Sequence, residues 1–280
     1  MKLPFRIKFD APAAGYVGYT AFFLMCLVFF AALSFPYDRL RDFAVQQVAE
    51  SAPASDAAPP RRLAIGEIGP TWSLGVALTD VAFEQDAAQP GSMPVALKID
   101  ELTIRPSLLS LLIGRTRVGF DAAIGDGSID GTFEAVGGEW SLDAELEAVD
   151  LGKLGLGGLA GIPVAGIASG EVDLAASDEP ASDEGAIQLN IEGVVLGDGK
   201  AKVALPGMGQ GLTVEPIRAG DLEVQIRLHE GVAALDKVHA RGADLAFDAG
   251  GAVRLGRPFA SSRVDLTLEL KFADAFKERN

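Results

Sequence analysis

Apolar and polar residues trade places at every second position along much of this chain, most cleanly in Trp140-Ser141-Leu142-Asp143-Ala144-Glu145-Leu146-Glu147. Successive side chains of a β-strand point to opposite faces, so this stretch has one wholly apolar side and one wholly polar side. The same period recurs at Leu74, Val76 and Leu78, at Val95, Leu97 and Ile99, and at Val118, Phe120 and Ile124. It resumes at Ile187, Leu189 and Ile191, at Leu222, Val224, Ile226 and Leu228, at Leu245 and Phe247, and at Val264, Leu266, Leu268 and Leu270. About ten or more strands follow one another. Turn dipeptides stand between them: Asp126-Gly127, Gly137-Gly138, Asp198-Gly199, Glu230-Gly231 and Gly250-Gly251. The expected fold is therefore mainly β, a long twisted antiparallel meander and not a βαβ sheet.

Two segments break the period. Pro106 to Gly114 is apolar without alternation and opens on a proline suited to a first helical turn, so one short helix is expected there, able to plug an end of the sheet. Ser177 to Gly185 (SDEPASDEG) reads as a solvated acidic loop that divides the β region into two halves.

The N-terminal part has a different character. No charged residue occurs from Ala11 to Tyr37, and Tyr16 to Phe35 supplies the apolar length a membrane-crossing helix needs. The alternative is a cleaved signal peptide, but the apolar stretch is long for one and no small-x-small site follows closely. Lys2, Arg6 and Lys8 precede the run while Arg39 and Arg41 follow it, which favours a cytoplasmic N-terminus. The expected organisation is a cytoplasmic tail at 1–10, a single transmembrane helix at 11–37, a juxtamembrane helix and linker at 38–61, and a periplasmic β-rich domain at 62–280. The linker contains SAPASDAAPP (Ser51 to Pro60), too polar and proline-rich to fold.

Composition then removes whole classes of function. The formal net charge is −15, and the first 37 residues contribute only Lys2, Arg6, Lys8 and Asp10, so the acidity belongs to the distal part. Such a surface repels phosphate backbones, and no nucleic-acid partner is expected. The single cysteine, Cys26, lies inside the apolar run and leaves the β region without a disulfide or a cysteine metal site.

A sheet this long and apolar on one face must close into a barrel, stack on another sheet, or curl around something apolar. Three stretches carry a family resemblance: FPYDRLRD (Phe35 to Asp42), LKIDELTIRPSLLSLLIGRTRVGFDAAIGDGSIDG (Leu97 to Gly131) and DLGKLGLGGLAGIPVAGIASGEVDL (Asp150 to Leu174). They resemble GspN, the N component of the general secretory, or type II secretion, pathway. The second and third also look like AsmA-type and TamB-type proteins, whose Pro-Val-x-Gly-x-x-Ser-Gly-x-x-Asp-Leu phrase occurs here at Pro163 to Leu174. The resemblance implies an inner-membrane helix followed by a twisted periplasmic sheet with an apolar concave face, in proteins of envelope biogenesis, lipid movement or secretion.

The sequence spells out no catalytic constellation. His229 follows inward-facing Leu228 and is expected in water beside the Glu230-Gly231 turn; His239 is the only other histidine. Ser128 and Ser169 lack the glycine offsets of a nucleophile elbow and read as turn residues. Gly199-Lys200 fails as a phosphate loop because Val194 and Ala201 stand where glycine and a hydroxyl are needed. Gly155, Gly157 and Ala160 fit a dinucleotide fingerprint only in spacing, and their run reads as a flexible connection. Asp178-Glu179, Asp183-Glu184 and Glu145 with Glu147 lack calcium-loop spacing and read as solvated charge. No catalytic residue, cofactor or metal is expected. The remaining candidate is the apolar strand face, with Val118, Phe120, Trp140, Leu142, Leu146, Leu266 and Leu268 as the inward set; its ordinary reading is core packing.

Two functions follow as expectations. The first is an inner-membrane-anchored periplasmic component of the type II secretion system, a structural or accessory part whose partners are other secretion proteins in the inner membrane and periplasm. The alternative is an AsmA-like lipid-binding or lipid-transfer protein with an apolar β groove and membrane lipid as its partner. A third, an envelope hydrolase, lacks a nucleophile, base or metal set.

Overall fold

The computed structural model describes residues 19–20, 22–23, 26–27, 30, 34, 36–50, 60–71, 75–86, 94–157, 161–200, 202–203, 212–213, 215–256 and 261–278. Helix α1 (Tyr37–Glu50) leads into β1 (Arg61–Ala64), β2 (Ile68–Pro70), β3 (Val76–Gln85) and β4 (Val95–Pro106). Helix α2 (Leu108–Leu112) connects to β5 (Thr116–Ile124), β6 (Gly127–Val136) and β7 (Glu139–Asp150), and α3 (Leu151–Leu154) to β8 (Val164–Ala176) and β9 (Glu184–Leu196). A small hairpin of β10 (Lys202–Val203) and β11 (Leu212–Thr213) precedes β12 (Ile217–His229), β13 (Val232–Arg241), β14 (Leu245–Arg254), β15 (Arg263–Phe272) and α4 (Asp274–Lys277).

Apart from β10 and β11, the strands form one 13-stranded antiparallel sheet in the order β1-β3-β4-β5-β6-β7-β8-β9-β12-β13-β14-β15, with β2 beside β3. The mainly β, meandering fold expected from the alternation is present. Register explains its two-sidedness. Residues directly opposite on neighbouring strands share a face, and one row runs Ile68, Leu78, Leu102, Ala122, Ile129, Leu146, Gly170, Leu189, Val224, Val238, Ala249, Leu268. No polar side chain interrupts it from β2 to β15.

The sheet bends where strands carry an extra residue. Register shifts fall after Leu146 in β7, between Ala165 and Ile167 in β8, around Gly220 in β12 and between Leu235 and Val238 in β13. Ala148 sits at φ 49° in the β7 bulge, and its freed N–H donates to Ser169 Oγ at 3.0 Å. Gly193, at φ 61°, donates in the same way to Asp221 Oδ1 at 3.0 Å. These side-chain acceptors replace ladder bonds that the bulges forfeit.

Curvature is most evident at α3. Asp150 Oδ1 caps it by accepting from Gly152 N at 2.9 Å and Lys153 N at 3.1 Å. A Cβ on Gly152 would lie 3.8 Å from Ala165 Cβ in β8, and one on Gly155 would lie 1.7 Å from the Ala96 carbonyl oxygen in β4. Four strand steps would separate β4 from β8 by about 19 Å in a flat sheet. A single helical turn reaches both, so the sheet curls around it, and Gly155, at φ 82°, admits no side chain. Ile124 (1% exposed), Val149 (0%) and Ala168 (1%) are packed at this end. A second buried cluster, Val194, Ala219, Ala240 and Leu245, lies farther along the same bent region.

Several expectations need correction. The helix within Pro106 to Gly114 exists, capped by Ser107, but it does not plug the sheet: Leu109 and Leu112 are exposed, and α2 packs beside β5. That role falls to α3, in the glycine-rich run read as flexible; α1 lies where the juxtamembrane helix was expected, and α3 and α4 add short helices that the sequence did not mark. The acidic insert does not divide the sheet, because β8 and β9 pair along their lengths on either side of it. Gly250-Gly251 is not a turn but the middle of β14, where a Cβ on Gly251 would sit 2.2 Å from the Asp265 carbonyl oxygen. No helix among the described residues is long and apolar enough to cross a membrane, and most of the expected span at 11–37 lies outside the described residues.

If the core lies where the sheet curls, Ile124→Ala costs about 3 kcal/mol in denaturant unfolding, as a buried truncation does. Leu109→Ala, on exposed α2, changes stability by less than about 0.5 kcal/mol.

Candidate functional site

The face built by the apolar rows is the main candidate. Val118 and Leu142 share one row with Phe133, Leu174 and Leu228. Phe120 and Leu266 share the next, with Ala144, Val172, Ile187, Ile226 and Leu235 between them. Leu146 and Leu268 belong to the row from β2 to β15, and Trp140 pairs with Ala135 and Ala176 at the far end of β7. All the residues singled out from the sequence thus lie on one face. They form no compact pocket: β5 and β15 stand eight strand steps apart in the sheet order, about 38 Å along a flat sheet.

Bulk on this face is distributed so that rings fit. Phe120 lies over Gly131, where a Cβ would approach its Cζ to 2.5 Å. Phe133 and Trp140 stack with ring centroids 6.3 Å apart and planes inclined by 26°. Among the described residues, the helices that touch the sheet do so at its margins or at the α3 end, and no second sheet covers the apolar rows.

Within the face, an apolar cavity of about 580 Å³ is lined by Trp140, Leu174, Ile187, Ile226, Leu228 and Leu255 together with Asp183. Of the residues chosen from the sequence, only Trp140 reaches it. Ile187, Ile226 and Leu228 carried the alternation signal, whereas Leu174 lies in β8, which the alternation did not mark, and Leu255 comes from a connection. Asp183 corrects the reading of the insert as wholly solvated: it is 0% exposed, and its Oδ1 accepts from Ser177 N at 3.1 Å.

The opposite face is polar and strongly acidic at its centre. Asp121, Asp130, Glu145 and Glu171 stand directly opposite one another on β5 to β8, and Asp143 faces Asp173 one row away. Arg105 pairs with Asp121 at one end of this array. Farther along, Lys237 beside Glu223 holds that carboxyl below its ordinary range, Arg227 does the same for Asp236, and Arg241 for Asp248. Each pair spans neighbouring strands or the β13 bulge, fixing register on the wet side.

The reactive residue types are scattered. His229 is exposed, as expected, with Nδ1 3.6 Å from Glu184 Oε1, while His239 Nε2 lies 3.8 Å from Glu223 Oε2. Ser128 Oγ donates to Asp130 Oδ2 at 3.1 Å within β6, and Ser169 caps the β7 bulge from within β8, so neither is a turn residue. No group of three or more His, Cys, Asp or Glu side chains among the described residues is placed to hold a metal ion. No family model, curated protein or solved structure matches the chain.

Directly opposed carboxylates destabilise a sheet, and opposite charges in the same places stabilise it. Glu145→Lys, between Asp130 and Glu171, is therefore expected to raise the thermal midpoint by a few degrees at low salt, with the gain shrinking as salt is added. Scanning calorimetry at two ionic strengths checks it.

Proposed function

We propose that this chain is an envelope protein, anchored in the bacterial inner membrane with its N-terminus in the cytoplasm and residues 62–280 in the periplasm. Its bare apolar sheet face shields the acyl part of membrane lipid. The observation that carries this reading is the unbroken apolar surface from β2 to β15, including a cavity of about 580 Å³. That volume falls in the range of sites that bury small ligands, about 300–1,000 Å³. Each methylene that such a surface keeps from water is worth about 0.8 kcal/mol, which is what makes it a shield for an acyl chain outside the bilayer. The protein binds and shields, and no covalent step is assigned to it. This is the AsmA-like reading.

A second reading, a structural part of the type II secretion machine contacting other secretion proteins, rests on the stretches Phe35 to Asp42, Leu97 to Gly131 and Asp150 to Leu174. It gains support from α1, which packs on β1 and β2 yet leaves Phe43 63% exposed to a partner.

Purification of the full chain in mild detergent, with mass spectrometry of everything retained, separates the two. The lipid reading expects bound lipid that Ile226→Glu removes and Glu145→Gln, on the wet face, leaves in place. Protein partners with no lipid above the detergent control support the secretion reading instead. Equal lipid on Ile226→Glu contradicts the apolar-face assignment.

A further inference from the structure

The two edges of the sheet are treated very differently. At one end, β1 is four residues long, α1 packs against it, and Arg62 pairs with Asp86 at 3.4 Å. Short strands, charge and a covering helix are the usual protections against unwanted pairing. At the other end, β15 runs ten residues from Arg263 to Phe272, every one of them exposed. It contains no proline, and its register with β14 is unbroken, so no bulge twists the edge away. One set of its backbone N–H and C=O groups points away from β14 with no described strand to receive it.

The side chains of β15 say what fits there. Its wet face reads Arg263, Asp265, Thr267, Glu269, Lys271, and its dry face Val264, Leu266, Leu268, Leu270, Phe272. The charge order is near-palindromic, so antiparallel pairing with an identical strand is sharply register-dependent. A two-fold axis at Thr267 would oppose Arg263 to Lys271 and Asp265 to Glu269, all like charges, which is destabilising. An axis at Leu266 sets Arg263 against Glu269 but pairs only residues 263–269 of the strand. An axis at Leu268 pairs residues 264–272, sets Asp265 against Lys271 twice, and places Leu266 on Leu270 and Val264 on Phe272.

We propose that β15 pairs antiparallel with β15 of a second copy of this chain, about a two-fold axis normal to the sheet at Leu268. The contact is isologous and therefore closes at two copies, leaving only the protected β1 edges free. It joins the two apolar faces into one continuous surface, and covers Val264 and Leu268, which are 65% and 56% exposed in the single copy. With the axis also normal to the membrane, both N-terminal segments reach the same side. The inference stands on the edge and its charge order alone, whatever the apolar face holds.

Sedimentation of the purified full chain in detergent, with disulfide trapping, tests it. The expected result is a concentration-dependent dimer. Asp265→Lys opposes two lysine pairs and weakens that dimer by about tenfold, whereas Asp265→Lys with Lys271→Asp restores it. In a Cys26→Ser background, Leu268→Cys forms a linked dimer under mild oxidation, and Leu266→Cys does so far less. A chain that stays monomeric at every concentration overturns the proposal. So does a dimer that ignores Asp265→Lys or is not rescued by the double exchange, which would assign self-association to another surface.

Discussion

Everything in this fold depends on one constraint, the constancy of antiparallel register across a single sheet. With a side-chain period of two, each strand places its apolar set on one face only if its neighbours keep phase. The row from Ile68 to Leu268 keeps phase through every strand of the main sheet except β1, so short-range alternation becomes a long-range surface. A slip of one residue in any strand would send a stripe of leucines to the side occupied by Asp121, Asp130, Glu145 and Glu171. The acidic array thus acts against slippage even though it costs stability as it stands.

Phase is preserved despite the bulges because each extra residue is absorbed locally. In β13 Asp236 and Lys237 together face the single residue Gly250 of β14, and both are held by neighbours in β12, Asp236 by Arg227 and Lys237 by Glu223. In β7 and β9 the freed amides go to Ser169 and Asp221. The bulges bend the sheet until α3 can touch both β4 and β8, which places the fully buried Ile124 and Val149 at that end. Elsewhere the dry side is only half-buried, an unusual condition for such an extent of leucine, isoleucine and valine, and it is this condition that gives the functional reading its content.

Strands with large residues at most dry positions were legible from sequence: β5, β7, β9, β12 and β15 all show alternation, with Ala122, Ala144 and Gly185 as the small exceptions. Strands β6 and β8 were hidden because Gly131, beneath the Phe120 ring, and Gly170, against the backbone of β9, occupy dry positions, and glycine does not read as apolar. In β13 the bulge moves the dry set from Ala233 and Leu235 to Val238 and Ala240, which breaks the period in the middle. Gly250-Gly251 imitates a turn because the same absence of a Cβ serves a tight turn and a close strand approach. The dry face was readable for the same reason as the strands, while the cavity within it was not, since Leu255 and Asp183 enter from connections whose positions depend on tertiary packing.

The central claim is that the dry face is covered in the cell by something from outside the chain. A photo-crosslinking amino acid placed at Ile226, and separately at its wet-face neighbour Gln225, tests this in intact cells. The account predicts an adduct at Ile226, identified by mass spectrometry as lipid, and none at Gln225. Equal labelling at the two positions, or a crosslink from Ile226 only to residues of its own chain, would contradict it.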